Sequence, residues 1–131
     1  MAGELVLIVE DNEKNRKLER DILQFHGYRT VEADTAEEGI RLAQATPPAL
    51  VLMDIQLPGM NGIEALHQLR ADPRTRAIPV IAVTASVMDR DRQKIMAAGF
   101  DGYQAKPIEV TGFVTAVRQM LDRPAKGGVA R

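Results

Sequence analysis

The sequence contains no cysteine, which excludes disulfides, thiolate nucleophiles and cysteine-built zinc sites together and is compatible with a reducing cytoplasm. It has no long apolar run either. Nothing approaches the ~20 residues needed to span a bilayer, and Met1-Ala2-Gly3-Glu4 enters the first apolar run without a basic leader. The expectation is a soluble, cytoplasmic protein with no membrane partner. Charge of one sign is missing too: 17 basic and 18 acidic residues are interspersed and leave a net charge of −1, so direct binding to nucleic acid has no electrostatic basis. Neither an internal repeat nor a low-complexity block is visible.

What is present is a chain of 131 residues, enough for one domain with a buried core. Short apolar runs at Leu5–Val9, Tyr28–Ala33, Leu50–Met53, Ile78–Val83 and, more weakly, Gly102–Ala105 alternate with helical patterns. That order predicts an α/β fold, a parallel sheet covered on both faces. The first helix is expected to present Leu18, Ile22 and Phe25 and to end at Gly27. Thr35 with Glu38, and Asn61 with Glu64, have the spacing of capping boxes. The fourth helix opens Asp89-Arg90-Asp91-Arg92-Gln93-Lys94 and offers the core nothing before Ile95, Met96 and Ala98, so its first turns are expected to be weakly held. The fifth presents Phe113, Val117 and Met120. Residues 123–131 lack periodicity and read as a disordered tail, leaving 4–122 as the domain.

The stretch that organises the rest is Leu50-Val51-Leu52-Met53-Asp54, followed at once by Pro58-Gly59 and Asn61-Gly62. A carboxylate where a buried strand stops sits at the crevice beyond the strand ends, where open parallel sheets bind ligands. The residues following the other strands gather in the same place: Glu10 and Asp11, Thr84, and Lys106. Each alone has an ordinary role, as a helix cap, a buried strand hydroxyl or a surface lysine. Together, three carboxylates need a counter-charge, since unit charges ~4 Å apart repel by about 4 kcal/mol at an effective dielectric of 20. Lys106 and a hard divalent cation would supply it, and an oxygen-only donor set favours magnesium over zinc.

Val9-Glu10-Asp11-Asn12, the run Met53 to Gly62, Val83-Thr84-Ala85 and Lys106-Pro107 together resemble the response-regulator receiver family, over residues 4–122. Within it the chain is most similar to single-domain regulators of the DivK type. The resemblance implies a flavodoxin-like doubly wound sheet of five strands in the order 2-1-3-4-5 with five helices. It implies that Asp54 accepts a phosphoryl group from a histidine kinase or histidine phosphotransferase. Asp11 would be the main acid on Mg2+, Glu10 would act mostly through water, and the Gln56 carbonyl would complete the protein ligands. Thr84 and Lys106 would bind the phosphoryl oxygens, Thr84 and Tyr103 would form the switch, and Lys106–Pro107 would be cis. Output would pass through the fourth helix, fifth strand and fifth helix to a downstream protein, the chain being a phosphoacceptor rather than a turnover enzyme. One departure is the pair Glu10-Asp11 where many members have two aspartates.

Three other functions compete with this reading. An aspartyl-phosphate hydrolase of the haloacid-dehalogenase kind needs an acid two residues after the nucleophile, where this chain has the neutral Gln56. A flavin module would want a glycine- or hydroxyl-rich first loop in place of Asp11-Asn12-Glu13-Lys14-Asn15. A receiver belonging to a hybrid histidine kinase differs from a complete regulator only beyond this chain, and the early end after the fifth helix favours the complete regulator.

Overall fold

The computed structural model describes residues 3–85 and 88–123. The elements are β1 (Leu5–Val9), α1 (Glu13–Phe25), β2 (Arg29–Ala33), α2 (Ala36–Ala45), β3 (Leu50–Asp54), α3 (Gly62–Ala71), β4 (Val80–Thr84), α4 (Asp89–Ala97), β5 (Gly102–Ala105) and α5 (Val110–Leu121). All strand pairs are parallel, in the order β2-β1-β3-β4-β5. This is the flavodoxin-like five-stranded sheet with five helices that the resemblance implied. The sheet turns at β1, with β2 on one side and β3 on the other. The resulting crevice at the carboxyl ends of β1 and β3 is where side chains from several strands can meet.

Strands β3 and β4 are buried along their whole length and β1 from Val6 onward, as expected of a sheet covered on both faces. Alternation divides their side chains between two cores. Val6, Ile8, Leu50, Leu52, Ile81 and Val83 pack against Ile22 and Leu23 of α1 and Phe113, Val117 and Met120 of α5. Leu7, Val9, Val51, Met53, Val80 and Ala82 pack against α2, α3 and Ile95 of α4. The same alternation, carried to the strand ends, turns Glu10 and Asp54 toward the α1/α5 side and Thr84 toward the α4 side.

Some sequence expectations need correction. In α1, Leu18 is 39 % and Phe25 86 % exposed, and the inward stripe is Glu19, Ile22 and Leu23. Ile22 is buried as expected, but Glu19 and Leu23 stand where Leu18 and Phe25 were expected, because the charged Glu19 was passed over as a core residue. Met96 is exposed as well, leaving Ile95 as the buried residue of α4. Thr35 caps α2 by accepting from the Glu38 N–H, but the Glu38 carboxylate turns to Arg41, so that box is half made. The box of Asn61 and Glu64 on α3 is complete. Gly27 ends α1 at φ +90°, a backbone region that suits glycine. Tyr28 and Ile78 precede their strands, and β3 runs one residue further than expected, through Asp54.

Of the expected tail, Arg123 is seen, its N–H donating to the Met120 carbonyl; residues 124–131 lie outside the described residues. Among the described residues no helix is long and apolar enough to cross a membrane.

Candidate functional site

Asp54 is the last residue of β3 and only 3 % exposed. Its Oδ1 accepts the N–H of Gln56 at 3.1 Å, which folds the following loop over the acid. Gly62, at the start of α3, holds the far side of that loop, its N–H donating to the Ile55 carbonyl. A Cβ at this position would lie 2.5 Å from the Asp54 carbonyl oxygen. The first turn of α3 is therefore seated directly on the backbone of the acid, and glycine is what permits the approach.

Lys106 follows β5 and enters the crevice from the opposite edge; the Lys106–Pro107 bond is cis. Its ammonium stands 2.8 Å from Glu10 Oε1 and 3.3 Å from Asp54 Oδ2. Burial pushes the lysine down, but the bond to Glu10 and the charges of Asp54 and Glu10 outweigh it, and the ammonium is held above its ordinary range. Glu10 is 1 % exposed. Burial, with the nearby charge of Asp54, pushes its carboxyl up, against the downward pull of Lys106 and of the Asn12 N–H. The lysine therefore pairs with both acids that burial would otherwise penalise.

Asp11 is exposed at the mouth of the crevice, and Asn12 caps α1 just beyond it by accepting the Asn15 N–H. Carboxylate oxygens of Glu10, Asp11 and Asp54 lie within 4.8 Å of one another. Two buried acids and one at the solvent edge, all oxygen donors, fit a hard divalent cation that keeps part of its water shell. Thr84 ends β4 and is 1 % exposed. It borders a cleft of about 200 Å³ under α4, lined also by Ile55, Gln56, Ile63, Asp91, Lys94 and Ile95. Tyr103, on the neighbouring β5, is half-buried against the α4-side core.

The fold thus brings together Glu10, Asp11, Asp54, Gln56 and Lys106, places Thr84 beside them facing α4, and sets Tyr103 one strand away. The family model for the response regulator receiver domain matches residues 6–118. The chain belongs to the response-regulator receiver family. This receiver is 44 % identical over 116 residues to the polar-differentiation response regulator DivK of Brucella ovis, a match covering 88 % of this chain and 94 % of the relative. The DivK of Brucella anthropi matches to the same extent. Among solved structures it is similar to the receiver domain of the sensor histidine kinase PA1611 from Pseudomonas aeruginosa, which holds a magnesium ion in its active-site cleft. That match has a TM-score of 0.86 and 30 % identity, covering 92 % of this chain and 99 % of the other. The chemotaxis protein CheY4 of Vibrio cholerae, at 23 % identity, shares the fold with a TM-score of 0.84 over 90 % of this chain and 98 % of the other.

Sequence reasoning missed Arg16 and Glu19 as neighbours of the site, and the stacking of Arg92 on Tyr103. Arg16 donates from Nη1 to the Glu10 carbonyl at 2.8 Å while its Nε stands 3.3 Å from Glu32. Arg92 lies with Cζ 5.3 Å from the centre of the Tyr103 ring. Glu19, 1 % exposed, has an Oε2 with no hydrogen-bond partner. Burial and the charges of Glu10 and Asp54 push its carboxyl up to about 8, Lys106 opposing. A signal for Glu19 was available, since it stands three and four residues before Ile22 and Leu23, on their stripe.

Proposed function

We propose that this receiver takes a phosphoryl group on Asp54 from a phosphohistidine of a histidine kinase or histidine phosphotransferase in the cytoplasm, and signals by the change in its protein contacts. The observation that carries this reading is the position of the Asp54 carboxylate. It is buried at a strand end, 3.3 Å from an ammonium and within reach of two further acids. One Asp54 oxygen attacks phosphorus, the bond from phosphorus to the donor imidazole nitrogen breaks, and an acyl phosphate forms while the imidazole leaves. A carboxylate is a weak nucleophile, so the rate depends on positioning and on neutralising the charge of the transferring group.

The Gln56 N–H fixes one Asp54 oxygen and Lys106 steadies the charge that develops beside the other. Glu10, Asp11 and Asp54, with the Gln56 carbonyl, would hold Mg2+, and Asp11, the exposed acid, would meet the ion first. When bound, the ion spreads the charge of the phosphoryl oxygens. Thr84 and Lys106 then bind the phosphoryl oxygens of the product, whose added charge and acceptors outcompete their resting contacts. Gln56 offers no acid to hasten hydrolysis, which supports a phosphoacceptor rather than a turnover enzyme.

Thr84 borders the cleft under α4, so its movement reaches that helix and, beside it, Tyr103. A downstream protein would read the face made by α4, β5 and α5. The test is intact-mass measurement with acetyl phosphate and magnesium: the wild-type protein gains one phosphoryl group and Asp54→Asn gains none. An adduct that survives the substitution refutes the assignment.

A further inference from the structure

Helix α4 is held by little. It buries Ile95, its N-cap residue Met88 makes no side-chain cap and is 50 % exposed, and its own Met96 is 40 % exposed. The cleft of about 200 Å³ between Thr84 and Ile95 separates it from the strand ends. On the side toward β5, a side-chain contact reaches Tyr103. The Arg92 guanidinium lies over the Tyr103 ring with Cζ 5.3 Å from the centroid, roofing a hollow of about 160 Å³ that Asp89 and Ala105 also line. This contact joins the helix next to Thr84 to the aromatic on the neighbouring strand. It is made while Asp54 is the unmodified carboxylate paired with Lys106.

We propose that Arg92 is a positioning residue for Tyr103: its stack on the ring ties α4 to β5 in the resting form and sets how much phosphoryl-site occupancy is needed to release the output face. The proposal rests on the reading of Asp54 as the phosphoacceptor, and adds to it a specific restraint. A shift of α4 that follows Thr84 separates a residue on the helix from one on the strand, so the stack is lost in the active form. A contact made in one of two states biases the equilibrium by its own free energy. Cation–π contacts at exposed sites contribute about 0.5–1 kcal/mol, which converts to roughly a two- to five-fold change in an equilibrium constant. Arg92 is exposed, so its cost to the fold when removed is small. Its effect belongs to the switch rather than to stability.

The experiment is a beryllofluoride titration of isotope-labelled protein with magnesium, followed by backbone amide shifts in β4 and β5. Arg92→Ala is expected to lower the half-saturating concentration about two- to five-fold. Arg92→Lys, which keeps a cation over the ring, should stay near wild type, and Arg92→Gln should follow Ala. Arg90→Ala, an exposed arginine of the same helix with no ring beneath it, should leave the titration unchanged. In a Tyr103→Leu background Arg92→Ala should have no further effect, because the stack is already gone.

An unchanged titration for Arg92→Ala overturns the proposal, as does an effect of the same size with Tyr103 replaced. Failure of the underlying reading looks different: the wild-type protein would then show no saturable shift in β4 or β5 at all.

Discussion

Helices α1 and α4 flank the same crevice from opposite faces of the sheet and are built in opposite ways. Helix α1 is capped by Asn12, buries Glu19, Ile22 and Leu23, and shares a core with the fully buried Phe113 of α5. Helix α4 has no side-chain cap and buries Ile95. The charges of the site belong to the well-anchored side, since Glu10 and Asp54 continue the strand positions that face α1 and α5. Thr84 faces the loosely held side. The contrast teaches a division of labour. Chemistry that depends on sub-ångström placement of a carboxylate and an ammonium sits on rigid packing. The response proposed for α4 would fall on a helix whose displacement breaks few contacts.

The largest expected effect lies on the anchored side. Replacing Asp54 with Asn should remove phosphorylation completely while native spectra are retained, whereas no single substitution in α4 should abolish it; mass spectrometry of both sets separates the roles. Next is packing. Leu23→Ala, at a fully buried position of α1, should destabilise by about 3 kcal/mol in urea unfolding. Met96→Ala on α4 should change stability by less than about 0.5 kcal/mol. Equal losses would mean that α4 is no looser than α1.

Glu19 introduces a cost on the anchored side that depends on pH. Its carboxyl is raised from 4.5 to about 8 in the fold, so the folded chain holds this proton more tightly than the unfolded chain does. The sign follows: the contribution is fully present below about pH 4.5 and is lost as pH rises toward about 8. The loss reaches about 3 kcal/mol by pH 7. Unfolding without magnesium at pH 5 and pH 8 should show this slope in the wild type and a flatter one in Glu19→Gln. Identical slopes would place Glu19 in a more solvated setting than the fold shows. The smallest effect concerns the caps. Asn12→Ala should cost about 1 kcal/mol, while Met88→Ser, which supplies the missing cap of α4, should gain no more than about that. Hydrogen exchange should report added protection in the first turn of α4.

The same contrast explains which parts of the molecule were legible in the sequence. Strands were readable because short apolar runs such as Leu5–Val9 alternate with helical patterns, and their order because the motif residues at their ends resemble a known family. Asp54, Asp11, Glu10, Thr84 and Lys106 were legible for a topological reason: parallel strands deliver the residues after their carboxyl ends to one crevice. The stripe of α1 was misread because a glutamate was taken for surface, and Phe25, 86 % exposed, was taken for core. Hydropathy assigns a residue's affinity for water but not the register of a helix against a sheet. The pairing of Lys106 with Glu10 at 2.8 Å and the stack of Arg92 on Tyr103 are side-chain contacts between elements far apart in sequence. No local pattern encodes them.

At the end of the sheet opposite the site, Asp101 just before β5 accepts both the Val80 N–H at 2.9 Å and Arg70 Nη2 at 2.8 Å, and Arg70 Nη1 reaches the Ile78 carbonyl at 2.7 Å. One side chain thereby rivets the end of α3, the entry of β4 and the entry of β5 at a single pole. Thr84, at the other end of β4, is the part of that strand farthest from this anchor.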